Sequence, residues 1–511
     1  MDLQHALSVL NSTIDEASTQ FRRVPGSAIL LRYIKNSYQN DPIRSVVELC
    51  LFLFAVRYLL APRYSTQQKS MDLTEEEIDE LVEEWTPEPL VAPPTELEAI
   101  EEERRPIIAG STGPRVKLLN GKTVTNLASH NYYNLVGNEM IKERGVTILR
   151  NYGVGACGPP NFYGTQDVHM DTEKQIAKFL GVEACIVYAQ AFSTISSVIP
   201  AFSKRGDIIV ADRACNFSIQ KGLQVSRSTV RWFNHNDVDD LERVLAQVAK
   251  EQKRKHLTRR FIITEGLFEN TGDCPNLPKI VELKNRFKYR LILDETHSFG
   301  VLGRTGRGLT EQQNVDVSNV EMLIGSLSHA LCAGGGFCAG TLEVVEHQRI
   351  SSSAYVFSAA LPAMLSVSAA EALKLIEGNP DMIVDLREKT RAFRQQLERC
   401  EHIEITSAPE NPRCLFHLKR DIVASKGLAD DEERILSDIV EECMGSSVMI
   451  TRVKVVKDSS VTDFASGRRF GWEGYPMLMA SVTIGHSKKD VEAGGSVIRK
   501  SVGKVLGRLK K

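Results

Sequence analysis

Two polar side chains follow an apolar run in the segment LILDETHSFGVLGRTGRG, residues 291–308. Asp294 stands at the end of that run, and His297 follows three residues later. A glycine-rich stretch then allows the backbone to turn tightly. An aspartate in this position can hold a protonated pyridine nitrogen, which keeps pyridoxal 5'-phosphate (PLP) an effective electron sink. An aspartate that only caps the following turn is the simpler alternative, and this segment alone does not distinguish the two.

The element that must position Asp294 is a buried strand, and four similar strands are predicted around it. Short apolar runs occur at residues 184–189, 207–212, 260–266, 290–295 and 321–326. Strands that are buried on both faces show this pattern, and the amphipathic stretches between them are typical of crossover helices. The sequence therefore predicts an α/β fold with a mostly parallel central sheet. Its ligand site is expected beyond the carboxyl ends of the strands.

Composition and charge exclude several classes of protein. The 511 residues include 63 Lys and Arg against 65 Asp and Glu, a formal net charge of -2, and 42% are hydrophobic. These values exclude a disordered or collagen-like chain, and they give no reason to expect a nucleic acid partner. The ten cysteines form no C-x-x-C pair and no metal-ligand spacing. They are therefore predicted to be free thiols in a reducing compartment, with no metal site.

Two further motifs flank Asp294 at a distance. NYGVGACGPPNFYGTQDVHMDTEKQIAKFLG (151–181) precedes it, and GSLSHALCAGGGFCAG (325–340) follows it. Together the three motifs resemble the α-oxoamine synthase family of PLP enzymes, which condense an amino acid with an acyl-CoA, over about residues 126–492. The resemblance implies a PLP-dependent transferase of fold type I with flanking helices. It implies a large domain at 111–375 and a smaller α+β C-terminal domain at 376–511.

The family pattern breaks at the residue that should hold the cofactor. In the family, the turn G-S/T-x-S-K-A-L supplies a lysine that binds PLP as a Schiff base, whereas this chain reads GSLSHAL and has His329 there. Schiff-base formation requires a primary amine, which an imidazole does not offer. No lysine occurs between Lys288 and Lys374. A histidine that fills the vacated lysine pocket is the expectation, and a new catalytic base is the alternative.

Two more positions depart from the family. A histidine normally stacks on the cofactor ring in a D-x-x-x-H-A-S context, and DRACNFS (212–218) has Asn216 there. Arginines that would hold a substrate carboxylate are replaced by methionines in MLMASVTIGHS (477–487). The family builds its active sites at a dimer interface, so a degenerate subunit can still complete the site of its partner. The resemblance thus implies no catalytic residue in this chain. Asp294 and His297 are expected to be vestigial cofactor-binding residues.

Within the family, the chain is most similar to a non-catalytic but required first subunit of a heteromeric member. That enzyme condenses L-serine with palmitoyl-CoA to 3-ketodihydrosphingosine (3-oxosphinganine), the first step of sphingolipid biosynthesis. The resemblance implies a catalytic second subunit that holds PLP covalently, and it admits small activating subunits and membrane regulators. It implies the endoplasmic reticulum membrane, with the main domain facing the cytosol. Two alternatives stay open: an active PLP enzyme with an unusual site, and a purely regulatory scaffold.

The glycine-rich turn at 153–164 is the candidate contact with the partner. Cys157, Phe162, Tyr163 and Gly164 are expected to lie at the interface near the active site of the partner. As a lone thiol, Cys157 is otherwise a small buried filler. The family turn GPRGFYG reads GPPNFYG here, so proline and asparagine replace an arginine and a glycine. A left-handed backbone at Asn161 would preserve the turn.

Residues 1–110 differ in composition from the rest. IRSVVELCLFLFAVRYLLA (43–61) is the most apolar stretch, with Glu48 and Arg57 toward its ends. It predicts a membrane-associated helix, with a span favoured slightly over a helix that lies in the membrane surface. Basic residues before it would place the N-terminus in the cytosol, whereas acyl-CoA requires the main domain to be there. A surface helix removes this conflict. An acidic, proline-rich strap follows and begins with Thr74 and Glu77 in capping-box spacing.

Overall fold

The computed structural model describes residues 23, 25–60, 73–87, 89–91, 93–453 and 474–509. The chain divides into two compact units, Met1–Pro93 and Pro94–Lys511. The second unit contains all three sheets. The domain boundaries predicted at 110/111 and 375/376 stay predictions.

The first unit contains three described helices: α1 (Ser27–Asn40), α2 (Pro42–Leu60) and α3 (Glu75–Glu84). Helix α2 confirms the helix expected at 43–61, apart from Ala61, which lies outside the described residues. It contains a third charge, Arg44, whose Nε lies 2.9 Å from Glu48 Oε1. Among the described residues, no helix combines the length and the apolar character needed to cross a membrane. The predicted span is therefore not confirmed.

Helix α2 nevertheless exposes an unusually large apolar surface within its unit. None of its residues is buried. Its exposed large apolar side chains are Ile43, Val46, Val47, Leu49, Leu51, Phe52, Leu53, Phe54, Tyr58, Leu59 and Leu60. Helix α3 begins with the predicted capping box, in which Glu77 N donates to Thr74 Oγ1 and Thr74 N donates to Glu77 Oε2. The apolar stripe of α3, which ends at Trp85, is also exposed.

The large sheet of the second unit has seven strands in the order β3-β9-β8-β7-β6-β4-β5. Its strands are β3 (Ala184–Tyr188), β4 (Ile208–Asp212), β5 (Thr229–Phe233), β6 (Arg260–Glu265), β7 (Arg290–Asp294), β8 (Met322–Ser326) and β9 (Gly336–Gly340). Strands β8, β7, β6, β4 and β5 are parallel, and β9 runs antiparallel to both of its neighbours. This arrangement confirms the mostly parallel sheet and all five predicted strands.

Both faces of this sheet are buried, which explains the continuous apolar runs. Val210, Ile262 and Leu293 pack into one core, whereas Ile209 and Ile292 pack into the other, because successive side chains of a strand point to opposite faces. The helices of this region are α4 (Glu96–Glu103), α5 (Glu139–Tyr152), α6 (Asp167–Leu180), α7 (Ala191–Phe202), α8 (Phe217–Ser226), α9 (Val238–Glu251), α10 (Leu277–Phe287), α11 (Leu309–Gln312), α12 (Leu342–Ser351), α13 (Ser353–Val356) and α14 (Ala363–Gly378).

Two smaller sheets complete the second unit. One is the antiparallel sheet β10-β11-β14-β13, and the other has the order β1-β2-β12. Their strands are β1 (Arg115–Lys117), β2 (Thr123–Asn126), β10 (Ile403–Ile405), β11 (Arg413–Leu418), β12 (Val448–Met449), β13 (Thr451–Val453) and β14 (Met477–Ser481). The remaining helices are α15 (Asp381–Glu398), α16 (Arg420–Lys426), α17 (Glu432–Gly445) and α18 (Lys488–Arg508). A separate apolar core, with Phe393, Phe416 and Ile498 at its centre, joins these C-terminal elements.

Candidate functional site at the strand ends

Asp294 lies at the carboxyl end of β7 and is buried. Its Oδ2 accepts a hydrogen bond of 2.8 Å from Asn216 Nδ2, and its Oδ1 accepts one of 2.9 Å from the backbone N of Thr296. Burial raises the pKa of Asp294, against the effect of these hydrogen bonds. Both carboxylate oxygens are therefore already engaged by protein donors.

Asn216 occupies the position where a ring-stacking histidine was expected from the family. It begins helix α8 as its N-cap, with Oδ1 accepting from Ile219 N at 2.9 Å. Its own backbone N donates to Glu265 Oε1 at 2.7 Å. Burial and the nearby charges of Asp294 and Glu269 raise the pKa of Glu265 well above its usual range. Asn216 thus donates hydrogen bonds to two buried carboxyl groups and also caps the N-terminus of helix α8.

His329 follows β8 and packs face to face with His297. The two ring centroids lie 4.6 Å apart with an interplanar angle of 30°. His329 Nδ1 lies 3.2 Å from the carbonyl O of Thr296, and because a carbonyl can only accept, Nδ1 carries the proton of the neutral ring. Burial and the charge of Arg413 lower the pKa of His329 to about 4. The imidazole is therefore a neutral, packed group at pH 7, and its role as a filler of the lysine pocket stays a prediction.

Two residues that sequence reasoning missed complete the cluster. The ring of His130 lies 4.8 Å from that of His329 in an edge-on arrangement. Arg413, the first residue of β11, places Nη1 3.4 Å from His297 Nε2. Burial, together with the nearby Arg413, His329 and His130, lowers the pKa of His297 well below its usual range. The available signal for Arg413 was a charged residue at the start of the apolar run RCLFHL, which alone does not distinguish a buried strand end from an exposed one.

The residues present do not fit covalently held PLP. The turn after β8 holds the imidazole of His329, and no lysine belongs to the cluster just described. The aspartate that would bind a pyridine nitrogen is satisfied by Asn216 and Thr296. Asp294 and His297 lie in the site, as predicted, but their vestigial contact with the cofactor stays a prediction. Among the described residues, no group of three or more potential ligands could hold a metal ion.

The turn that contains Cys157 brings its backbone so close together that Gly164 has no room for a side chain. A Cβ atom on Gly164 would lie 2.0 Å from the carbonyl O of Gly158. Two non-glycine residues of the turn are left-handed, Cys157 with φ of 56° and Tyr163 with φ of 66°. Asn161 lies within the short 3-10 helix Pro160–Phe162, so its expected left-handed conformation is wrong. The reason is that the left-handed residue stands at the end of this helix, where Tyr163 is the C-cap.

Three of the predicted interface residues are exposed on this turn. Tyr163 is fully exposed, and Phe162 is 62% exposed. Cys157 is exposed as well, so its alternative role as a buried filler is wrong. All ten cysteines are free thiols, as predicted. The methionine-containing segment at 477–487 begins with β14 (Met477–Ser481), in which Met477 and Leu478 are buried.

Solved structures share this fold. A serine palmitoyltransferase with a PLP internal aldimine aligns with 80% of this chain and 96% of its own, with a TM-score of 0.68 and 19% identity. The serine palmitoyltransferase of Sphingomonas wittichii aligns with 81% of this chain and 96% of its own, with a TM-score of 0.68 and 21% identity. At these identities the likeness concerns the fold alone.

The fold and residues 122–454, which match the family model for class I and II aminotransferases, define a PLP-dependent transferase of fold type I. Long chain base biosynthesis protein 1 of Arabidopsis thaliana is 38% identical over 91% of this chain and 93% of its own. Serine palmitoyltransferase 1 of Dictyostelium discoideum is 40% identical over 88% of this chain and 92% of its own. The chain belongs to the family of serine palmitoyltransferase 1, also named long chain base biosynthesis protein 1.

Proposed function

We propose that this chain is the non-catalytic but required subunit of serine palmitoyltransferase. The complex condenses L-serine with palmitoyl-CoA to 3-oxosphinganine, and a catalytic second subunit holds PLP. The observation that carries the proposal is His329 at the position of the cofactor lysine, packed 4.6 Å from His297. The names of the relatives support the reaction, because they describe serine palmitoyltransferases and proteins of long chain base biosynthesis.

The hydrogen bonds of the site support a silent subunit over an active enzyme with an unusual amine. Asn216 donates to both Asp294 and Glu265, so the buried carboxyl groups at the strand ends are engaged by donors of this chain. The pKa of His329, at about 4, leaves little protonated imidazole at pH 7. A general base works best when its pKa lies near the operating pH, so His329 is poorly matched to that role.

The turn at 153–164 supports a contact with the catalytic partner. Phe162 and Tyr163 expose two aromatic side chains, a residue type that is enriched in protein interfaces. Exposed apolar side chains grouped in this way commonly mark an interaction site. In this proposal, the turn completes the active site of the partner while this chain contributes no catalytic group.

Borohydride trapping on the purified complex tests the assignment. We expect PLP to be reduced onto the catalytic subunit only, and we expect this chain purified alone to show no condensing activity. Mass spectrometry of each subunit identifies the labelled lysine. His329→Gln is the companion variant, and it should leave the activity of the complex within about twofold, because an imidazole with a pKa of about 4 is a weak base at pH 7. PLP on this chain, or a loss of 100-fold or more in the variant, would show an active site here.

We further propose that the protein associates with the endoplasmic reticulum membrane, with its main domain in the cytosol. Support comes from the exposed apolar side chains of α2, which suit a helix that lies in the membrane surface. In sealed microsomes, added protease should digest both a tag at Met1 and the main domain. Replacing Phe52 and Phe54 by aspartate should weaken flotation with the membranes. Protection of either region, or unchanged flotation of the variant, would contradict the arrangement.

A further inference from the structure

Arg413 is a buried cation without a buried counter-ion. Its side chain is 4% exposed. Nη2 donates to the carbonyl O of Phe268 at 3.2 Å and to that of Glu269, and Nη1 faces His297 Nε2. No carboxylate oxygen of the described residues lies within 4.0 Å of this guanidinium, in contrast to Arg452, which pairs with Glu101 and Glu433. A buried charge of this kind is costly unless an opposite charge compensates it.

Four buried polar atoms without a hydrogen-bond partner belong to this one cluster. They are Arg413 Nε, His297 Nδ1, His130 Nε2 and Ser481 Oγ. Ser481 lies directly opposite Arg413 across the β11–β14 pair, so the two side chains share one face of the sheet. Buried polar groups are nearly always hydrogen-bonded, so a concentration of four unpaired atoms indicates a site for a polar group.

The unpaired atoms are mainly donors. A guanidinium N–H can only donate, so the neutral ring of His297 must accept at Nε2 and carry its proton at Nδ1. Arg413 Nε–H and His297 Nδ1–H are thus two buried donors, and the hydroxyl of Ser481 can supply a third. A ligand that complements them must offer acceptors only. A carboxylate meets this condition, because its ionised oxygens accept and do not donate.

The charge of the cluster selects a monoanion. Burial and the neighbouring cation lower the pKa values of His130, His297 and His329, so the three rings are neutral at pH 7. Arg413 then supplies the single positive charge. The carboxylate of Glu269 lies 4.0 Å from His297 Nε2 and is 47% exposed. Burial raises its pKa and the charge of Arg413 lowers it, so this carboxylate competes with a bound anion for Arg413. His130 and His329 are partly exposed, which leaves a route from solvent.

We propose that Arg413, His297 and Ser481, bordered by His130, form a binding site for the carboxylate group of a small monoanionic ligand. In this proposal, the strand ends where the family pattern would place the cofactor bind an anion instead. It goes beyond the proposed function, because it concerns only residues of this chain and needs no bound PLP. Simple carboxylates such as acetate have the required chemistry, whereas a free amino acid is a zwitterion whose ammonium group adds a cation and further donors. A phosphate dianion fits less well, because the cluster holds one positive charge.

Thermal unfolding of the full chain, purified without its partner, tests the site. Ligands that bind only the folded state raise the unfolding midpoint in a saturable way. At constant ionic strength, sodium acetate should give such a rise, and sodium chloride and inorganic phosphate should not. L-serine, a zwitterion without net charge, is the control probe, and it should saturate only at a higher concentration than acetate.

Substitutions distinguish acetate binding at the proposed site from a general effect of salt on stability. Arg413→Gln should weaken acetate binding at least about tenfold, because a charge-assisted hydrogen bond is lost. Arg452→Gln, which removes a buried but paired arginine, should leave acetate binding unchanged. Glu269→Gln removes the competing charge and should tighten it. If Arg413→Gln does not fold, Ser481→Ala takes its place and should weaken binding about threefold, since its hydroxyl has no partner in the fold.

The proposal is overturned by any of three results. They are no saturable rise with acetate, tighter binding of phosphate or of L-serine than of acetate, or full acetate binding by both site variants. Each can occur while PLP trapping still assigns the cofactor to the partner, so failure of this site is distinguishable from failure of the proposed function.

Discussion

Gly164→Ala is expected to lose about 3 kcal/mol of folding stability and to abolish recovery of the catalytic partner in a pull-down. The added Cβ would lie 2.0 Å from the carbonyl O of Gly158 and 2.7 Å from that of Pro159. Both obstacles are backbone atoms, so no side-chain rotation relieves the clash and the turn must move. The exposed aromatic rings of Phe162 and Tyr163 move with it, because they adjoin Gly164 directly. Urea unfolding of the purified chain measures the stability.

Gly155→Ala is the matched control within the same turn. No atom would lie within 4 Å of its Cβ, and the φ of Gly155 is not in the left-handed region. Stability and partner recovery should therefore stay at wild-type values. Equal behaviour of the two variants would contradict the steric argument. A stable Gly164→Ala chain that still binds its partner would show that the shape of this turn does not define the interface.

Asn216→Asp should destabilise the chain by about 3 kcal/mol or more at pH 8. The change replaces the donor Nδ2, 2.8 Å from Asp294 Oδ2, by a carboxylate oxygen, so that two buried acids face each other beside Glu265. The N-cap is retained, because an aspartate can also accept from the backbone N of Ile219. The loss therefore isolates charge repulsion and desolvation.

The pH dependence of this variant follows from linkage. Burial already raises the pKa of Asp294, and a second carboxylate raises the pKa values of the pair further. A carboxyl whose pKa is higher in the folded than in the unfolded state loses stability as pH rises, starting near the unfolded value of about 4. The cost should thus be small at pH 4 to 5 and large at pH 8, as measured by denaturant unfolding at each pH.

Asn276→Asp is the control for this prediction. Asn276 is also an N-cap, with its side chain accepting from Lys279 N, but it is exposed. An aspartate there should be neutral or slightly stabilising, because negative charge is favourable at a helix N-terminus. A similar loss in both variants would attribute the effect to the cap and not to the buried carboxyl groups.

The strands of the large sheet show which elements can be predicted from apolar runs in the sequence. The five predicted strands are apolar runs, and the structure confirms each of them. Strands β5 and β9 were missed. β9 begins and ends with Gly336 and Gly340, and glycine weakens a strand pattern because it has no side chain to pack. The glycine is needed because a Cβ on Gly336 would lie 2.4 Å from Thr194 Oγ1, a contact that only the folded chain contains.

The candidate site also contains residues that the sequence predicts and residues that only the folded chain brings together. Asp294 and His297 could be found because a strand and its following turn place them together. His130 and Arg413 could not be found in this way. Arg413, for example, lies 116 residues after His297 and contacts it from another sheet. The apolar run at 43–61 predicted a membrane-associated helix, with a span favoured slightly over a surface helix. Helix α2 contains three charged residues, and no described helix combines the length and apolar character needed to cross a membrane.

The sequence by itself determined that no lysine occurs between Lys288 and Lys374, a range that includes the turn with His329. It also determined where five buried strands lie along the chain, because burial on both faces requires continuous apolar runs. Only the tertiary structure decided what fills the site: Asn216 bonds Asp294 across 78 residues, and Arg413 lies beside His297. Such contacts depend on strand order and register, which bring distant segments within hydrogen-bonding distance, and no local pattern encodes those distances.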